Sequence, residues 1–184
     1  MIWIYIAIAI VVGIPLLLAA IGLLLAPGHV ATRTARYARS PEQIWDVISD
    51  PVGAAAWRPE LERVELRPPV DGRTSYVEHG KHGAIPFVVE ELTPPRRMVV
   101  RILDDKLPFG GRWIFTVTRE GEGESRLTIT EDGFVKNPIF RTLSRTVFSL
   151  SATLEKYLRS LGARFGETTT PEPGERVVWP GSAT

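Results

Sequence analysis

Three carboxylates in predicted strands, Glu78, Glu90 and Glu91, are candidates for holding a polar group of a ligand. Burial in an apolar pocket disfavours the charged form of a carboxylate, so a glutamate in such a place has a raised pKa. The plainer alternative is an ordinary exposed strand carboxylate, and we favour that alternative for each of the three. Glu78 stays in the set of candidate ligand contacts.

Histidine is the commonest acid–base side chain in enzymes, and the 3 histidines of this chain all lie at strand starts or turns. His79 and His82 have the H-x-x-H spacing of metal ligands. They lie in the glycine-bearing turn EHGKHG, however, where Glu78 is the only further ligand in view. We therefore expect no metal site and no cofactor. No serine has a G-x-S-x-G context, and no glycine loop has a phosphate-cradling pattern.

The composition excludes several other kinds of site. The 184 residues include no cysteine, which removes disulfides, thiolate catalysis and cysteine-based metal centres. A formal net charge of +1 gives no broad electrostatic basis for binding nucleic acid. Hydrophobic residues make up 44% of the chain and charged residues 23%, as in a globular domain of ordinary size with an appendage.

The appendage is an uncharged segment from Ile2 to Ala26. About 25 residues at about 1.5 Å each exceed the hydrocarbon core of a bilayer, so we predict a single-pass transmembrane anchor over residues 1–27. A cleaved signal peptide is the alternative, but nothing basic precedes the run beyond the amino terminus, and the run is longer than a signal core. Arg33, Arg36 and Arg39 follow it, and the positive-inside tendency places the soluble part on the cytoplasmic side.

Residues 28–166 have the pattern of one α+β domain. A strand from His29 is followed by a helix that begins at a capping box formed by Ser40 and Gln43 and ends before Pro51. About six strands joined by short turns come next, which predicts an antiparallel meander.

A long amphipathic helix is predicted to close the domain, because apolar residues recur at three- and four-residue steps from Pro138 to Leu161. A curved sheet wrapped around one helix of about 25 residues leaves part of its concave face uncovered, which predicts a cavity. The alternative is a collapsed core without a cavity. Residues 167–184 are rich in Thr, Pro and Gly and are predicted to be disordered.

Four segments resemble the SRPBCC or START-like superfamily, which includes polyketide cyclases, aromatase/cyclases and lipid-transfer START domains. They are SPEQIWDVISDP with a later W and L-x-x-V, VEELTPPRRMVVRI, LPFGGRWIFTVTREGEGESRLTITEDG and VKNPIFR. The likeness extends from Val30 to Phe165. It implies a helix-grip fold, in which a curved antiparallel sheet wraps around a long C-terminal helix and leaves a hydrophobic tunnel beneath it. It implies no particular reaction, because the superfamily includes enzymes, carriers and regulators.

A set of candidate ligand contacts follows from this architecture. In the resembling proteins Trp57 would border the tunnel entrance; the alternative, which we favour slightly, is that it fills the gap between the short helices and the sheet edge. Trp113 and Phe115 share a strand face, and so do Leu127 and Ile129, and we expect all four to point inwards. The full set is Trp57, Tyr76, Glu78, Trp113, Phe115, Leu127, Ile129, Val147, Ser151 and Leu154.

Two functions from different classes remain in view. We favour a membrane-anchored protein that binds a hydrophobic small molecule or lipid in the tunnel, because such binding needs only shape and a few polar contacts. The alternative is a polyketide cyclase- or dehydratase-like enzyme acting on a hydrophobic or aromatic substrate, which would need a positioned acid–base pair. An interaction domain with a filled core is a third possibility.

Overall fold

The computed structural model describes residues 1–81, 83–146, 149 and 151–177, and for Ile4 and residues 6–9 it describes the backbone alone. Its elements are α1 (Ile2–Leu24), β1 (Gly28–Tyr37), α2 (Pro41–Ile48), a 3₁₀ helix (Val52–Ala56), β2 (Leu61–Val70), β3 (Arg73–Gly80), β4 (Gly83–Thr93), β5 (Arg97–Ile102), β6 (Phe109–Gly121), β7 (Glu124–Val135), α3 (Pro138–Thr146), α4 (Ala152–Arg164) and β8 (Glu172–Pro173).

The strands form one antiparallel sheet in the order β2-β3-β4-β5-β6-β7-β1-β8. The turn between β2 and β3 contains Asp71 and Gly72 with φ of 50° and 74°, as a type I′ hairpin turn requires. Register shifts interrupt the pairing of β2 with β3, β4 with β5 and β6 with β7, and such bulges bend a sheet. The predicted curved antiparallel meander is confirmed.

The helix after β1 begins as its sequence predicts. The Ser40 hydroxyl accepts a hydrogen bond from the Gln43 backbone N–H at 3.3 Å, and the Ser40 N–H donates to the Gln43 side chain at 3.0 Å. Ile44, Trp45 and Ile48 are buried on one face of α2. The capping box thus fixes the start of a helix whose apolar face packs into the core.

Helix α4 lies across the inner face of the sheet and forms the centre of the core. Leu154, Leu158 and Leu161 are each 0% exposed and pack with apolar residues of β1, β5, β6 and β7. Each such leucine contributes about 2 kcal/mol by its burial. The Tyr37 hydroxyl on β1 donates to the Leu158 carbonyl at 2.9 Å, and burial raises the pKa of that tyrosine, so it remains a neutral donor.

The single closing helix predicted from Pro138 to Leu161 is wrong, since α3 ends at Thr146 and α4 begins at Ala152. The two helices have different partners: α3 packs on α1, whereas α4 packs on the sheet. The Thr146 hydroxyl donates to the Thr142 carbonyl at 2.8 Å, a type of bond that often bends and weakens helices. Different partners and a hydroxyl-rich junction together explain the break.

Helix α1 is joined to α3 by close packing and by side-chain hydrogen bonds. A Cβ on Gly22 would overlap the Pro138 carbonyl, so only glycine permits this approach. The Arg141 guanidinium donates to the carbonyls of Gly22 at 2.9 Å and Leu25 at 3.0 Å, and the Thr142 hydroxyl donates to the Leu18 carbonyl at 2.8 Å. Arg141 therefore satisfies carbonyls that the end of α1 leaves without helical partners.

The predicted transmembrane anchor over residues 1–27 is not supported. Within the described part of the chain, no helix combines the length and the apolar character that crossing a membrane requires.

The segment after α4, expected to be disordered from residue 167, lies along the outer edge of β1 in its described part, which ends at Val177. Strand β8 pairs with β1 so that Glu172 lies opposite Thr34. Thr169 is 8% exposed, and its hydroxyl lies where a Cβ on Gly162 would stand. Pairing with the sheet edge and packing on a glycine hold this segment in place. Residues 178–184 lie outside the described residues.

Candidate functional site

A cavity of about 900 Å³ lies between the inner face of the sheet and α4. The 3₁₀ helix and the adjacent ends of β2 and β3 border it, as do the ends of β6 and β7 together with α3. Its apolar lining includes Trp57, Ile85, Phe87, Val89, Leu92, Met98, Val100, Ile102, Trp113 and Phe115. The volume lies in the range of pockets that enclose a small organic ligand.

Aromatic rings from three parts of the chain meet at Tyr157 of α4. Trp57 packs edge-on against this ring at a centroid distance of 5.1 Å, Trp113 lies at 5.9 Å and Phe115 at 5.5 Å. Contacts of this kind add to the stability gained from burial. They give the cavity a rigid, flat-sided wall suited to apolar groups.

Charged residues interrupt the apolar lining, and four of them form one connected group. Arg58 donates to both carboxylate oxygens of Glu78, at 2.6 and 3.1 Å, and its Nε donates to Glu60 at 2.9 Å. Lys156 lies 3.3 Å from the other oxygen of Glu60, and the Arg58 guanidinium lies 5.2 Å from the centre of the Tyr157 ring. We call Arg58, Glu60, Glu78 and Lys156 the charged cluster; its two positive and two negative charges cancel.

The electrostatics of this cluster favour the charged forms of Arg58 and Glu60. Burial alone would lower the pKa of Arg58, but attraction to Glu78 and the bonds to Glu78 and Glu60 outweigh it, and the net shift is upward. Burial alone would raise the pKa of Glu60, but the bond from Arg58 outweighs it, and that pKa falls. Glu78 is a partly buried carboxylate that is ion-paired with Arg58.

Two tyrosines beside the charged cluster line the cavity as neutral phenols. Burial raises the pKa of Tyr76 and of Tyr157, so both keep their protons. Tyr76 also stacks on Phe87 with a centroid distance of 5.5 Å. The cavity can thus offer phenolic groups to a polar, uncharged part of a ligand.

A histidine–carboxylate pair lies at another part of the lining. The Nε2 of His29 is 3.6 Å from an oxygen of Glu131, and both residues line the cavity. The Nε2 of His79 on β3 lies instead 3.3 Å from an oxygen of Glu65, a residue of β2 whose side chain is 44% exposed. His82, the other member of the H-x-x-H pair, lies outside the described residues.

Of the candidate contacts, Trp57, Tyr76, Glu78, Trp113 and Phe115 line the cavity. Trp57 fits both of its interpretations in part, because its ring packs against the core and also lines the cavity. Glu78 is not the exposed strand carboxylate that was favoured, since its side chain is 12% exposed and ion-paired at the cavity wall.

The remaining candidates lie elsewhere. Leu127, Ile129 and Leu154 do not line the cavity, because α4 covers this part of the inner face and all three are 0% exposed in the core. Ser151 lies at the start of α4, where its hydroxyl accepts a hydrogen bond from Arg33 at 2.7 Å. Val147 lies outside the described residues.

The other strand carboxylates belong to ion pairs away from the cavity. Glu90 accepts hydrogen bonds from Arg101 at 2.5 Å and Arg112 at 2.6 Å, and Glu91 accepts one from Arg97 at 3.2 Å. Neither glutamate lines the cavity.

The sequence interpretation missed Arg58, Lys156 and Tyr157. The tyrosine had a usable signal, because it comes three residues after Leu154 on the apolar face of α4. The arginine had none, since it lies after a short 3₁₀ helix where no periodicity indicates which way a side chain points.

Comparisons with solved structures show the same architecture. A START superfamily protein from Mycobacterium smegmatis is 21% identical, with a TM-score of 0.60, covering 74% of this chain and 96% of that one. The Zhui aromatase/cyclase from Streptomyces sp. R1128 is 18% identical, with a TM-score of 0.58, covering 75% of this chain and 96% of its own. Norcoclaurine synthase from Thalictrum flavum is 15% identical, with a TM-score of 0.58, covering 76% and 87%. At these identities the likeness shows the fold alone.

The amino-acid sequence matches the model of a known protein family. A search of curated protein sequences finds no match. The family described as "Polyketide cyclase / dehydrase and lipid transport" matches residues 29–166, which is the whole domain from β1 to the end of α4. The chain therefore belongs to the polyketide cyclase / dehydrase and lipid transport family.

Proposed function

We propose that this protein binds a hydrophobic small molecule or lipid in the cavity beneath α4. The observation that carries the proposal is an apolar, aromatic-walled space of about 900 Å³ that the described side chains leave unfilled. Apolar surface of this extent is favourable to cover with a ligand.

The charged cluster sets a condition on the enclosed part of the ligand. Its four charges cancel and are paired with one another, so a further buried charge would find no free partner there and would be costly. Hydroxyl or carbonyl groups can instead bond to the neutral phenols of Tyr76 and Tyr157. The portion of the ligand beside the charged cluster is thus uncharged.

The protein's location is also part of the proposal. Several apolar side chains of α1 face outwards, among them Trp3 at 77%, Val11 at 71% and Leu23 at 72% exposure. Apolar surface of this kind supports contact with a lipid bilayer. Arg33, Arg36 and Arg39 follow α1, which supports a cytoplasmic location for the domain. Flotation of the full chain with liposomes, and a reporter fused at its carboxyl end, test these two points.

The binding experiment uses the full chain purified in a neutral detergent. Lipids carried through purification are extracted into organic solvent and identified by mass spectrometry, and the protein is then offered a panel of lipids and isoprenoids. We expect stoichiometric uptake of at least one compound. Protein that carries none and takes up none would contradict the proposal.

A cyclase- or dehydratase-like activity is the second candidate, and the pair of His29 and Glu131 favours it. A histidine beside a carboxylate at a cavity wall can take up and release a proton during a reaction. The test is conversion of aromatic polyketide-like compounds by the wild-type protein and by His29→Gln. Loss of turnover with unchanged uptake of the compound would support the enzyme.

A further inference from the structure

A second recess lies beside the cavity and has the opposite character. Its volume is about 620 Å³, and β1, the end of α3, the start of α4 and the segment after β8 surround it. Three arginines line it, Arg33, Arg145 and Arg176, together with Ser144, Ser149 and Ser151. We call this recess the arginine groove.

The charge of the groove is positive and largely uncompensated. Arg33 is neutralised by Glu155 at 2.9 Å. Among the described residues Arg145 donates to neutral acceptors alone, the carbonyls of Ala26 at 2.9 Å and Gly28 at 2.7 Å. Within residues 1–81, 83–146, 149 and 151–177, no carboxylate lies at ion-pair distance from Arg145 or Arg176. The lining residues themselves include no Asp or Glu.

The groove and the cavity adjoin at the junction between α3 and α4. Ser144 and Ser149 line both spaces. One molecule can therefore contact the apolar cavity with one part and the arginine groove with another.

We propose that the arginine groove binds the anionic headgroup of an amphiphile whose hydrocarbon part occupies the cavity. This inference rests on the proposed binding function and adds the chemical class of the ligand. Arg58 and Lys156 of the cavity lining are already ion-paired and Lys81 is a single exposed ammonium, whereas Arg145 and Arg176 supply two guanidinium groups in the groove. The hydroxyls of Ser144 and Ser149 supply further hydrogen bonds at the boundary.

The position of the groove agrees with this assignment. Arg145 bonds the two residues that flank Pro27, directly after α1. If α1 contacts a bilayer as proposed above, the groove lies close to the headgroups. Guanidinium groups at that depth attract anionic lipids.

The experiment offers the full chain equal amounts of palmitic acid and methyl palmitate, which share a hydrocarbon chain and differ in charge. Bound lipid is separated with the protein, extracted and measured by mass spectrometry. We expect the acid to exceed the ester about tenfold, as charge-assisted hydrogen bonds predict. In R145Q/R176Q the ratio should fall to about one, with uptake of the ester unchanged.

The matched control is R36Q/R164Q, which removes the same charge from two exposed arginines outside the groove and should keep the preference. The single variant R176Q is a second test that should not disturb folding, because Arg176 is exposed. This variant should lose part of the preference for the acid over the ester. Equal uptake of acid and ester by the wild type, or a preference that persists in R145Q/R176Q, would overturn the groove's role alone. Absence of both lipids from the wild type would also overturn the groove's role, whereas the proposed binding function is overturned only if the panel of lipids and isoprenoids fails as well.

Discussion

The guanidinium of Arg58 holds the carboxylate of Glu78 through two hydrogen bonds, 2.6 and 3.1 Å long, at the wall of an otherwise apolar cavity. Both side chains are 12% exposed. Removing one partner of such a pair leaves the other charge buried, and that loss is much greater than the loss of an exposed pair.

Arg58→Met should therefore destabilise the protein by about 3 kcal/mol. Glu78→Gln should cost less, about 1 to 2 kcal/mol, because Arg58 keeps Glu60 as a partner. Urea denaturation followed by tryptophan fluorescence measures both changes. Arg67→Met and Glu65→Gln are the controls, since that pair is 51% and 44% exposed, and each should change stability by at most about 0.5 kcal/mol. Equal effects of all four substitutions would refute the prediction.

Glu90 should contribute stability that acid removes. Burial alone would raise its pKa, but the hydrogen bonds from Arg112 and Arg101 outweigh it, and the pKa is lowered in the folded state. Such a group stabilises the fold above its unfolded pKa of about 4.3, and this contribution is lost as pH falls through the folded pKa. We expect Glu90→Gln to cost about 1 kcal/mol at neutral pH and progressively less below about pH 4.

Denaturation midpoints of wild type and Glu90→Gln, measured from neutral to acid pH, test this expectation. Glu122→Gln, a change in an exposed turn, is the control and should follow the wild type throughout. A constant difference between Glu90→Gln and wild type at every pH would rule the linkage out.

Filling the cavity should displace its ligand without unfolding the protein. Val89 lines the cavity, so Val89→Phe places a ring in unfilled space and should reduce bound lipid at least about tenfold. Val52→Phe is the control, because Val52 is 50% exposed on the 3₁₀ helix and does not line the cavity. Extraction and mass spectrometry measure the bound lipid, and thermal unfolding checks the fold. Undiminished lipid in a folded Val89→Phe protein would speak against binding in this space.

The packing of α1 on α3 should depend on Gly22. Any side chain at this position meets the Pro138 carbonyl, so Gly22→Val should separate the two helices. Gly13→Val is a close control, since a Cβ at Gly13 has no atom within 4 Å. Amide hydrogen exchange over residues 138–146 should become about tenfold faster in Gly22→Val and stay unchanged in Gly13→Val. Equal exchange in both variants would show that the contact is not needed to hold α3.

Local patterns predicted the parts of the fold that local forces decide. The capping box of Ser40 and Gln43, the alternation of β6 and β7 and the turn at Asp71 are all set by near neighbours in the chain. The inward face of Trp113 and Phe115 follows from the same alternation. These features needed no knowledge of distant contacts.

Distant contacts decided what the patterns missed. The apolar spacing from Phe140 to Leu161 continues across the junction of α3 and α4, so it cannot show that one half packs on α1 and the other on the sheet. Leu127 faces inwards as predicted, but the position of α4 determines that it lies in the core and not at the cavity. The pairing of Glu78 with an arginine 20 residues earlier is likewise a product of the tertiary fold.

The bonds from Arg141 and Thr142 to the end of α1 mean that α3 depends on α1 for part of its hydrogen bonding. A shortened chain that begins at β1 would leave the Arg141 guanidinium without two of its acceptors. It would also expose the side chain of Thr142, which is 2% exposed in the full chain. Helix α3 borders the cavity, so its displacement would reshape the space in which a ligand is sought. Removal of the apolar amino-terminal helix would therefore alter the part of the cavity wall that α3 forms.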